Sequence, residues 1–498
     1  EPVSVCCLWI DEFHQTTHDC ADGAAFREAH AQYVNKRVAK LQQAEVRRLA
    51  QIAPLPENWH SLEEAERRKD FARLVLEQAW ELHQRPHNHS TDTTTLTASG
   101  KRVSLGLIRM ANIAPLYDVA LAMYAPDALP PELQGQVRIH LCVYHSQYPL
   151  LLRSAIEQQL DTLLNRRGAK ADHDPALHRP GLRALIDAHP EPHHLFIVLG
   201  SPVTEVGRDH DYDWAVVEPS SMRSLIQLAG RVRRHRPGAV GGVNMVVLDS
   251  NLRHYEHKGK AAFCKPGFEE RLPGVKPKPK DPGPHDYAWR FGLETHQMSS
   301  LCPGLSKGPV PIDAQPRIEP KVSLKPEHNL LDLELARMQD AMLVRTKNKT
   351  FFTAPKRDCT LHWHEPQPDT PRSLWLTGLL PQFQRFRQDD QKRDDVALLP
   401  DEEEETLLLH RVQDGERRYE KLYVPIHQSL CHPVPAAQLA SPSVSPWPQV
   451  GLMEELAALA QARGLSLEQC AERYATASLP ESQAGWRWDE RLGFSKKA

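Results

Sequence analysis

The stretch HLFIVLG, residues 194–200, is an almost continuous apolar run that ends in a glycine. Such a run is typical of a strand buried on both faces of a parallel sheet. Similar runs recur along the chain, with helical stretches between them: VSLGLI at 103–108, QVRIHLCVY at 136–144, WAVVE at 214–218 and VNMVVLD at 243–249. This alternation predicts an α/β fold with a doubly wound parallel sheet, which places its sites beyond the carboxyl ends of the strands.

The sequence nearer the amino end predicts further helices and strands. Val3 to Ile10 reads as a buried strand, and residues 24–53 have the apolar spacing and composition of one long helix. A second helix is expected to open with a capping box formed by Ser61 and Glu64 and to run to about His83. The polar stretch 84–102 indicates a loop or a domain boundary.

Beyond His257 the composition changes. GVKPKPKDPGPHD, residues 274–286, and the prolines that follow predict an extended connector. A small α+β region is then expected, with a hairpin in residues 407–424 that turns at Asp414-Gly415. It should end in a helix pair in which Ser466 caps near Gln469.

Bulk composition narrows the possible functions. The chain has 498 residues, with 61 basic and 64 acidic side chains and a net charge of -3, so any basic site must be local. Nine cysteines without a CxxC pair suit free thiols in a reducing, cytoplasmic compartment. No apolar run is long enough for a membrane span. The chain begins at Glu1 in mid-strand, and we expect it to be a piece of a longer protein.

The segment QLAGRVRRHR, residues 227–236, concentrates basic side chains after an apolar stretch. On a helix that starts after Pro219-Ser220, Gln227, Gly230, Arg231 and Arg234 would share one face. A mid-helix glycine costs about 1 kcal/mol relative to alanine, which indicates close approach of another group. Two guanidiniums one turn apart can hold a transferring phosphoryl group, whereas the alternative is a solvated basic face.

The segment upstream favours the nucleotide interpretation. GSPVTEVGRDHDYDWAVVE, residues 200–218, leaves a strand into a loop with a hydroxyl, a glycine and several carboxylates, and then enters the next strand. We expect this loop and the arginine helix to meet at the same sheet edge.

At these residues the chain resembles the second RecA-like domain of superfamily 2 helicases. Gln227, Gly230, Arg231 and Arg234 match the sixth helicase motif, Q-x-x-G-R-x-x-R, and the fifth motif is matched by Ser201, Glu205, Gly207, Asp209 and Asp211. Residues 207–236 are similar to the CRISPR-associated helicase-nuclease of type I-F systems, and residues 104–118 and 144–164 resemble the fourth-motif region of that family. Pro202 and Gln147 depart from the common pattern, so no contact is carried over to them.

The resemblance implies roles for individual residues. Arg231 and Arg234 would be the catalytic arginines at the γ-phosphate of ATP. Nucleotide binding would fall to Gln227, Gly230, Gly207 and Asp209, and DNA phosphate binding to Arg109, Asn112 and Ser201. For Arg109, a structural ion pair is an equal alternative. No residue is assigned as a metal ligand; ATP and Mg²⁺ would be the cofactors, with a divalent metal at a nuclease site outside this chain.

The resemblance also implies a domain order and partners. Residues 1–95 would be the end of a first RecA-like domain with a helical connector, 96–258 the second RecA-like domain, 259–325 a linker and 326–498 an accessory domain. The expected partners are single-stranded DNA, a Cascade-like surveillance complex, the CRISPR adaptation integrase, anti-CRISPR proteins and the amino-terminal remainder of the same protein.

Other motifs allow different functions. LWIDEFH, residues 8–14, spells a DExH box, so a DExH-type RNA helicase with Asp11 and Glu12 as Mg²⁺ ligands is one alternative, and a non-enzymatic docking module is another. No Gly-Lys-Thr loop occurs in the sequence, which favours a structural role for this strand. The remaining motifs have bland interpretations as loop residues or a solvated acidic turn: His173-Asp174, His210-Asp211, His83, His87, His89, His362, His364 and DEEEE at 401–405.

Overall fold

The computed structural model describes most of the chain: residues 5–10, 15–92, 100–169, 174–205, 207–264, 267–269, 291–319, 321, 323–345, 352–355, 391–416 and 420–497. Asp11, Glu12, His173, His362, His364 and the connector at 274–286 lie outside these residues. No helix in the described ranges is long and apolar enough to cross a membrane.

The strands of the described residues are β1 Val5–Ile10, β2 Gln15–Cys20, β3 Leu49–Ala53, β4 Ser90–Asp92, β5 Lys101–Arg109, β6 Val137–Tyr144, β7 His193–Gly200, β8 Trp214–Val217, β9 Met245–Leu248, β10 Val310–Pro311, β11 Leu343–Arg345, β12 Phe352–Pro355, β13 Arg393–Pro400, β14 Leu407–Asp414, β15 Lys421–Pro425, β16 Cys431–Pro433, β17 Val444–Pro446, β18 Thr476–Pro480, β19 Trp486–Asp489 and β20 Gly493–Lys496. The α-helices are α1 Gly23–Gln43, α2 Glu64–Gln84, α3 Ile113–Met123, α4 Leu150–Leu163, α5 Pro180–Asp187, α6 Met222–Ala229, α7 Leu252–Glu256, α8 Met298–Leu301, α9 Pro303–Ser306, α10 Gln315–Ile318, α11 Leu330–Met342, α12 Leu452–Arg463 and α13 Leu467–Tyr474.

A nine-stranded sheet organises the molecule, in the order β10-β3-β9-β8-β5-β7-β6-β17, with β4 paired to β5. From β3 to β17 every neighbour is parallel, and only β10 and β4 run antiparallel. Gly106 of β5 lies opposite Trp214 of β8, where an added Cβ would sit 2.1 Å from the indole ring. The predicted α/β class with a doubly wound parallel sheet is confirmed.

Helices cover both faces of this sheet, as the apolar strands require. One face packs on α2 and α3, through side chains such as Phe71 and Tyr117. The other face packs on α4, α5 and α6, through side chains such as Leu160, Ile186 and Leu228. Successive residues of β7 alternate between these two cores, so every residue of the strand after His193 is buried.

The amino-terminal elements differ from the prediction. The helix expected over residues 24–53 ends at Gln43, and residues 49–53 form β3, which pairs in parallel with β9. The central sheet recruits this apolar pentapeptide because pairing satisfies its backbone while burying Ala50 and Ala53. In β1 the expectation of full burial is wrong: Leu8 is 52% exposed and Ile10 is 66% exposed.

The first capping prediction is also wrong. Helix α2 ends near the expected residue, at Gln84, but its N-cap is Glu63, which makes no side-chain cap bond. The Ser61 hydroxyl instead donates to the carbonyl of Asn58, because residues 57–61 form a separate 3-10 turn.

The expected domain boundaries do not separate independent units in the structure. Residues 49–92 contribute β3, α2 and β4 to the same sheet and cores as the region that follows. Within the stretch expected to be a linker, Phe291, Leu293 and Met298 are fully buried, and β10 extends the sheet. Apolar side chains in these segments dock on the sheet because exposure would be unfavourable.

The carboxyl-terminal region has the expected α+β composition. Strands β13, β14, β15 and β18 form an antiparallel sheet, and β14 and β15 make the hairpin, with Asp414 opposite Lys421. As expected, DEEEE at 401–405 forms an acidic turn directly before the hairpin, between β13 and β14, and residues 402–405 are exposed. Ser466 and Gln469 form a capping box at the start of α13, as predicted.

This region is docked on the central sheet. Strand β17 pairs in parallel with β6, and the Trp447 ring packs edge-on against Phe196, with 5.2 Å between centroids. On the other face Arg487 forms an ion pair with Asp118 of α3, with 2.5 Å between the charged atoms.

Candidate nucleotide-binding site

The arginine segment does not continue the helix that precedes it. Ser221 caps α6, the helix ends at Ala229, and Gly230 is its C-cap. The prediction of one helical face through Arg234 is therefore wrong. The chain leaves the helix because its backbone pairs with that of Tyr212. The Tyr212 N–H donates to the Arg231 carbonyl at 2.8 Å, and the Tyr212 carbonyl accepts from the Arg233 N–H at 2.9 Å.

This pairing brings the two sequence motifs together. Tyr212 lies two residues before β8, so the arginine segment runs beside the amino end of that strand, not beyond a carboxyl end. The expected contact between the fifth-motif loop and the sixth-motif arginines is nevertheless present. Gly230 makes no close contact beyond its own helix, so the inference of a group approaching its backbone finds no support.

Asp209 and Arg234 form the exposed part of this contact. The Arg234 Nε donates to Asp209 Oδ1, the Arg167 guanidinium lies 2.5 Å from Oδ2, and His235 Nε2 lies 3.2 Å from Oδ1. The hydrogen bond from Arg234 is the main reason that the pKa of Asp209 is well below its ordinary value. Both side chains are about two-fifths exposed, at 40% and 43%, so other anions can reach Arg234.

Arg231 is held differently. Its NH2 group donates to the Glu205 carbonyl at 3.0 Å, while its Nε is buried without a hydrogen-bond partner. Burial, followed by repulsion from Arg234, lowers the pKa of Arg231 from its ordinary value. A buried guanidinium N–H without an acceptor is unfavourable, and a bound anion would relieve it.

The other two expected nucleotide residues are accessible. Gln227 is exposed near the end of α6. Gly207 is exposed in the loop with φ of +73°, a left-handed conformation that glycine adopts without strain, and an added Cβ would meet nothing within 4 Å.

Beneath this surface lies a buried charge cluster that sequence reasoning missed. It consists of two arginines and three aspartates: Arg166, Arg236, Asp174, Asp211 and Asp213. Arg166 is distant in sequence from both motifs, and no local pattern marks it, so only the fold could reveal the contact.

The expected DNA residue Arg109 lies at the carboxyl end of β5, where it is 1% exposed. Its guanidinium donates to Glu205 Oε1 at 2.6 Å, to the Glu218 carbonyl at 2.6 Å and to the Ser220 hydroxyl at 2.7 Å. All three nitrogens are thus engaged, and the structure favours the alternative interpretation of Arg109 as a structural ion pair.

Glu218, which the sequence did not indicate as a site residue, lies beside Arg109 at this edge of the sheet. Its carboxylate accepts from the backbone N–H of Ala111 at 2.5 Å and of Leu252 at 2.7 Å. Burial nevertheless raises the pKa of Glu218.

Asn112 and Ser201 lie at the same edge. Asn112 is the N-cap of α3 and is partly exposed, but its side chain makes no cap bond. Ser201 is buried, with its N–H donating to the Tyr144 carbonyl at 3.0 Å.

The other motifs have structural roles. His210 pairs with Asp161 at 2.9 Å, Asp211 and Asp174 belong to the buried charge cluster, and His83 bonds Ser104 and His193. No group of three or more His, Cys, Asp or Glu side chains in the described part of the chain could hold a metal ion.

Two family models match the chain. Residues 102–237 match the model described as "CRISPR-associated nuclease/helicase Cas3, C-terminal", and residues 398–496 match "CRISPR-associated Cas3 subtype I-F/YPEST-like, C-terminal domain". The first covers both motifs of the candidate site, and the second covers most of the docked carboxyl-terminal region.

Curated relatives agree with the family models. The CRISPR-associated nuclease/helicase Cas3 subtype I-F/YPEST of Pseudomonas aeruginosa (strain UCBPP-PA14) is 40% identical over 98% of this chain and 40% of its own length. That of Pectobacterium atrosepticum is 34% identical over 83% of this chain and 34% of its own length. A crystal structure of T. fusca Cas3 is 14% identical, with a TM-score of 0.33 over 60% of this chain and 26% of that one. The chain thus spans about two-fifths of the relative from P. aeruginosa. It belongs to the Cas3 family of subtype I-F/YPEST and matches the parts of that family described as C-terminal.

Proposed function

We propose that this chain supplies the second motor lobe of an ATP-dependent single-stranded DNA helicase and nuclease that degrades invading DNA in CRISPR interference. The observation that carries the proposal is the pair of guanidiniums beside Asp209: Arg234 is accessible, and the Nε of Arg231 is buried without an acceptor. Both arise from the segment that matches the helicase motif, within a family named nuclease/helicase.

The residues present fit the triphosphate end of ATP. Arg231 and Arg234 would neutralise charge on the γ-phosphate, and ATP would supply the anhydride whose hydrolysis drives movement. Gln227 and Asp209 would position nucleotide or water, and Gly207 would let the backbone approach. Since Arg234 is paired with Asp209 in this chain, phosphate would have to compete for that guanidinium. Mg²⁺ and the phosphate-binding loop would belong to the other lobe, outside this chain.

Nucleic acid would pass along the carboxyl ends of β5 and β7. Asn112 is the stronger candidate for a phosphate contact because its side chain is partly exposed and makes no cap bond. Ser201 would contribute from the adjacent strand end. Arg109 would act indirectly, by holding Glu205 and Ser220 in place.

The wider assignments rest on the family alone. A Cascade-like surveillance complex would recruit the protein to DNA, the adaptation integrase and anti-CRISPR proteins would be further partners, and a divalent metal would serve a nuclease site outside this chain. The compartment would be the cytoplasm.

The test is Arg234→Ala in the full-length protein. We expect DNA-stimulated ATP hydrolysis to fall about a thousandfold, because an arginine at the γ-phosphate contributes about that much to the rate. Arg73→Ala is a matched control, since Arg73 is also 40% exposed in an ion pair, with Asp127, but lies on α2. Unchanged ATP hydrolysis in Arg234→Ala would refute the proposed function.

A further inference from the structure

The buried charge cluster lies directly under the arginine segment. The side chains of Asp174, Asp211 and Asp213 are at most 6% exposed, those of Arg166 and Arg236 at most 12%. Burying five charges is costly, and ion pairs of this kind are weak contributors to net stability. We therefore relate these five side chains to the backbone conformation of the arginine segment rather than to overall stability.

Asp211 controls the backbone that carries Arg234. Its two carboxylate oxygens accept from the N–H groups of Arg234 at 3.1 Å and of His235 at 3.0 Å. The residue before them, Arg233, has φ of +47°, a left-handed conformation that is unfavourable for a residue with a Cβ. Such a conformation persists only where the surroundings enforce it, and the Asp211 carboxylate does so here.

Arg236 in turn fixes that carboxylate. Its Nη2 donates to Asp211 Oδ1 at 2.7 Å and to the Tyr212 carbonyl at 2.8 Å, and its Nη1 donates to Asp213 Oδ1 at 2.5 Å. One planar guanidinium thus spans three consecutive residues of the loop. Burial alone would raise the pKa of Asp211, but Arg236 and Arg166 hold that pKa below its ordinary value.

Arg166 anchors the cluster to the rest of the lobe. Arg166 follows α4 in the chain. Its Nη1 donates to Asp213 Oδ1 at 2.7 Å, and its Nε and Nη2 donate to the Asp174 carboxylate. The backbone N–H of Arg166 donates to His235 Nδ1 at 3.2 Å. The arginine segment is therefore tied to α4 as well as to the loop.

We propose that Arg236 is a positioning residue of the nucleotide site: through Asp211 it fixes the backbone that presents Arg234. This inference rests on the proposed function. Arg236 itself would not touch nucleotide, since its donors are directed at the loop.

The experiment uses Arg236→Lys in the full-length protein. An ammonium keeps the charge but cannot span Asp211, Tyr212 and Asp213 at once. We expect kcat for ATP hydrolysis to fall about tenfold to a hundredfold, because small misplacements of catalytic groups lower the rate by about that much. KM for ATP should change less than about twofold. Arg138→Lys is the matched control: Arg138 is 11% exposed and paired with Glu191 at 2.6 Å, but on β6. It should keep wild-type kcat.

A double-mutant cycle separates positioning from general destabilisation. If Arg236 acts through Arg234, Arg236→Lys should have no further effect on kcat in an Arg234→Ala background. Additive losses would overturn the inference, as would a wild-type kcat per folded molecule in Arg236→Lys. Should Arg236→Lys not fold, Asp211→Asn must give the same loss of kcat and the same non-additivity, and a wild-type kcat there would also overturn the inference. Arg234→Ala alone tests the proposed function separately.

Discussion

At the scale of single residues, burial decides what an arginine can do. The resemblance implies phosphate contacts for both Arg109 and Arg234, but Arg109 is 1% exposed with every nitrogen engaged, whereas Arg234 remains accessible. The family resemblance implied both residues as candidates. It could not distinguish them, because the partners of Arg109, Glu205 and Ser220, lie about a hundred residues away.

Arg109→Met should therefore destabilise the chain. Removing the guanidinium leaves the Glu205 carboxylate buried without its cation, a loss that costs ~3–5 kcal/mol in comparable sites. Urea denaturation of this chain measures the change in unfolding free energy. Arg73→Met, in an exposed pair with Asp127, should change it little. If both variants matched the wild-type midpoint, the structural role of Arg109 would be wrong.

Buried histidines give the chain a predictable pH dependence. His194 Nδ1 lies 3.0 Å from His140 Nε2, beside Lys101, Arg138 and Glu191. Burial, then the Lys101 charge, lowers the pKa of His194 to about 4 from an ordinary value of 6.5. The folded ring stays neutral while the unfolded ring takes up a proton below about pH 6.5, so stability falls as the pH drops from 6.5 toward 4.

In His194→Gln the free energy of unfolding should depend less steeply on pH between 6.5 and 4. The variant lacks the imidazole that takes up a proton in the unfolded state but not in the folded state. Urea titrations at several pH values between about 4.5 and 7.5 measure the slope. An identical slope in His194→Gln would contradict the assignment.

At the scale of elements, apolar pattern predicted the strands well and element ends poorly. Strands β5 to β9 and the β14–β15 hairpin were foreseeable because their apolar runs and turn residues are local signals. The end of α1 at Gln43 and the end of α6 at Ala229 were not, because each is set by pairing with a distant strand or loop.

Two serines in the same sequence context test this distinction. Ser466 caps α13 through the N–H of Gln469 at 3.1 Å, whereas Ser61, also three residues before a Glu or Gln, only bonds the Asn58 carbonyl. Ser466→Ala should cost about 1 kcal/mol, a typical value for a lost N-cap, and Ser61→Ala less. Thermal denaturation by circular dichroism compares them, and a larger loss for Ser61→Ala would reverse the interpretation.

At the scale of the whole molecule, the chain combines a doubly wound parallel sheet with a docked carboxyl-terminal region. The docking joins β17 to β6 and Trp447 to Phe196, so the carboxyl-terminal region extends the central sheet. The sequence predicted both parts but not their contact, because two short parallel strands about 300 residues apart leave no local pattern.

Nucleotide binding at the proposed site would need a second lobe. The sequence contains no Gly-Lys-Thr loop, and the two motif arginines lie on one lobe beside Asp209. Bound nucleotide would thus be held between this chain and a segment that carries the phosphate loop.

The most direct measurement is steady-state ATP hydrolysis by this chain with single-stranded DNA, alone and after addition of the separately purified amino-terminal part of the full-length protein. We expect almost no hydrolysis by the chain alone, activity on mixing, and none on mixing when Arg234→Ala replaces the wild-type chain. Full turnover by the chain alone would contradict this expectation.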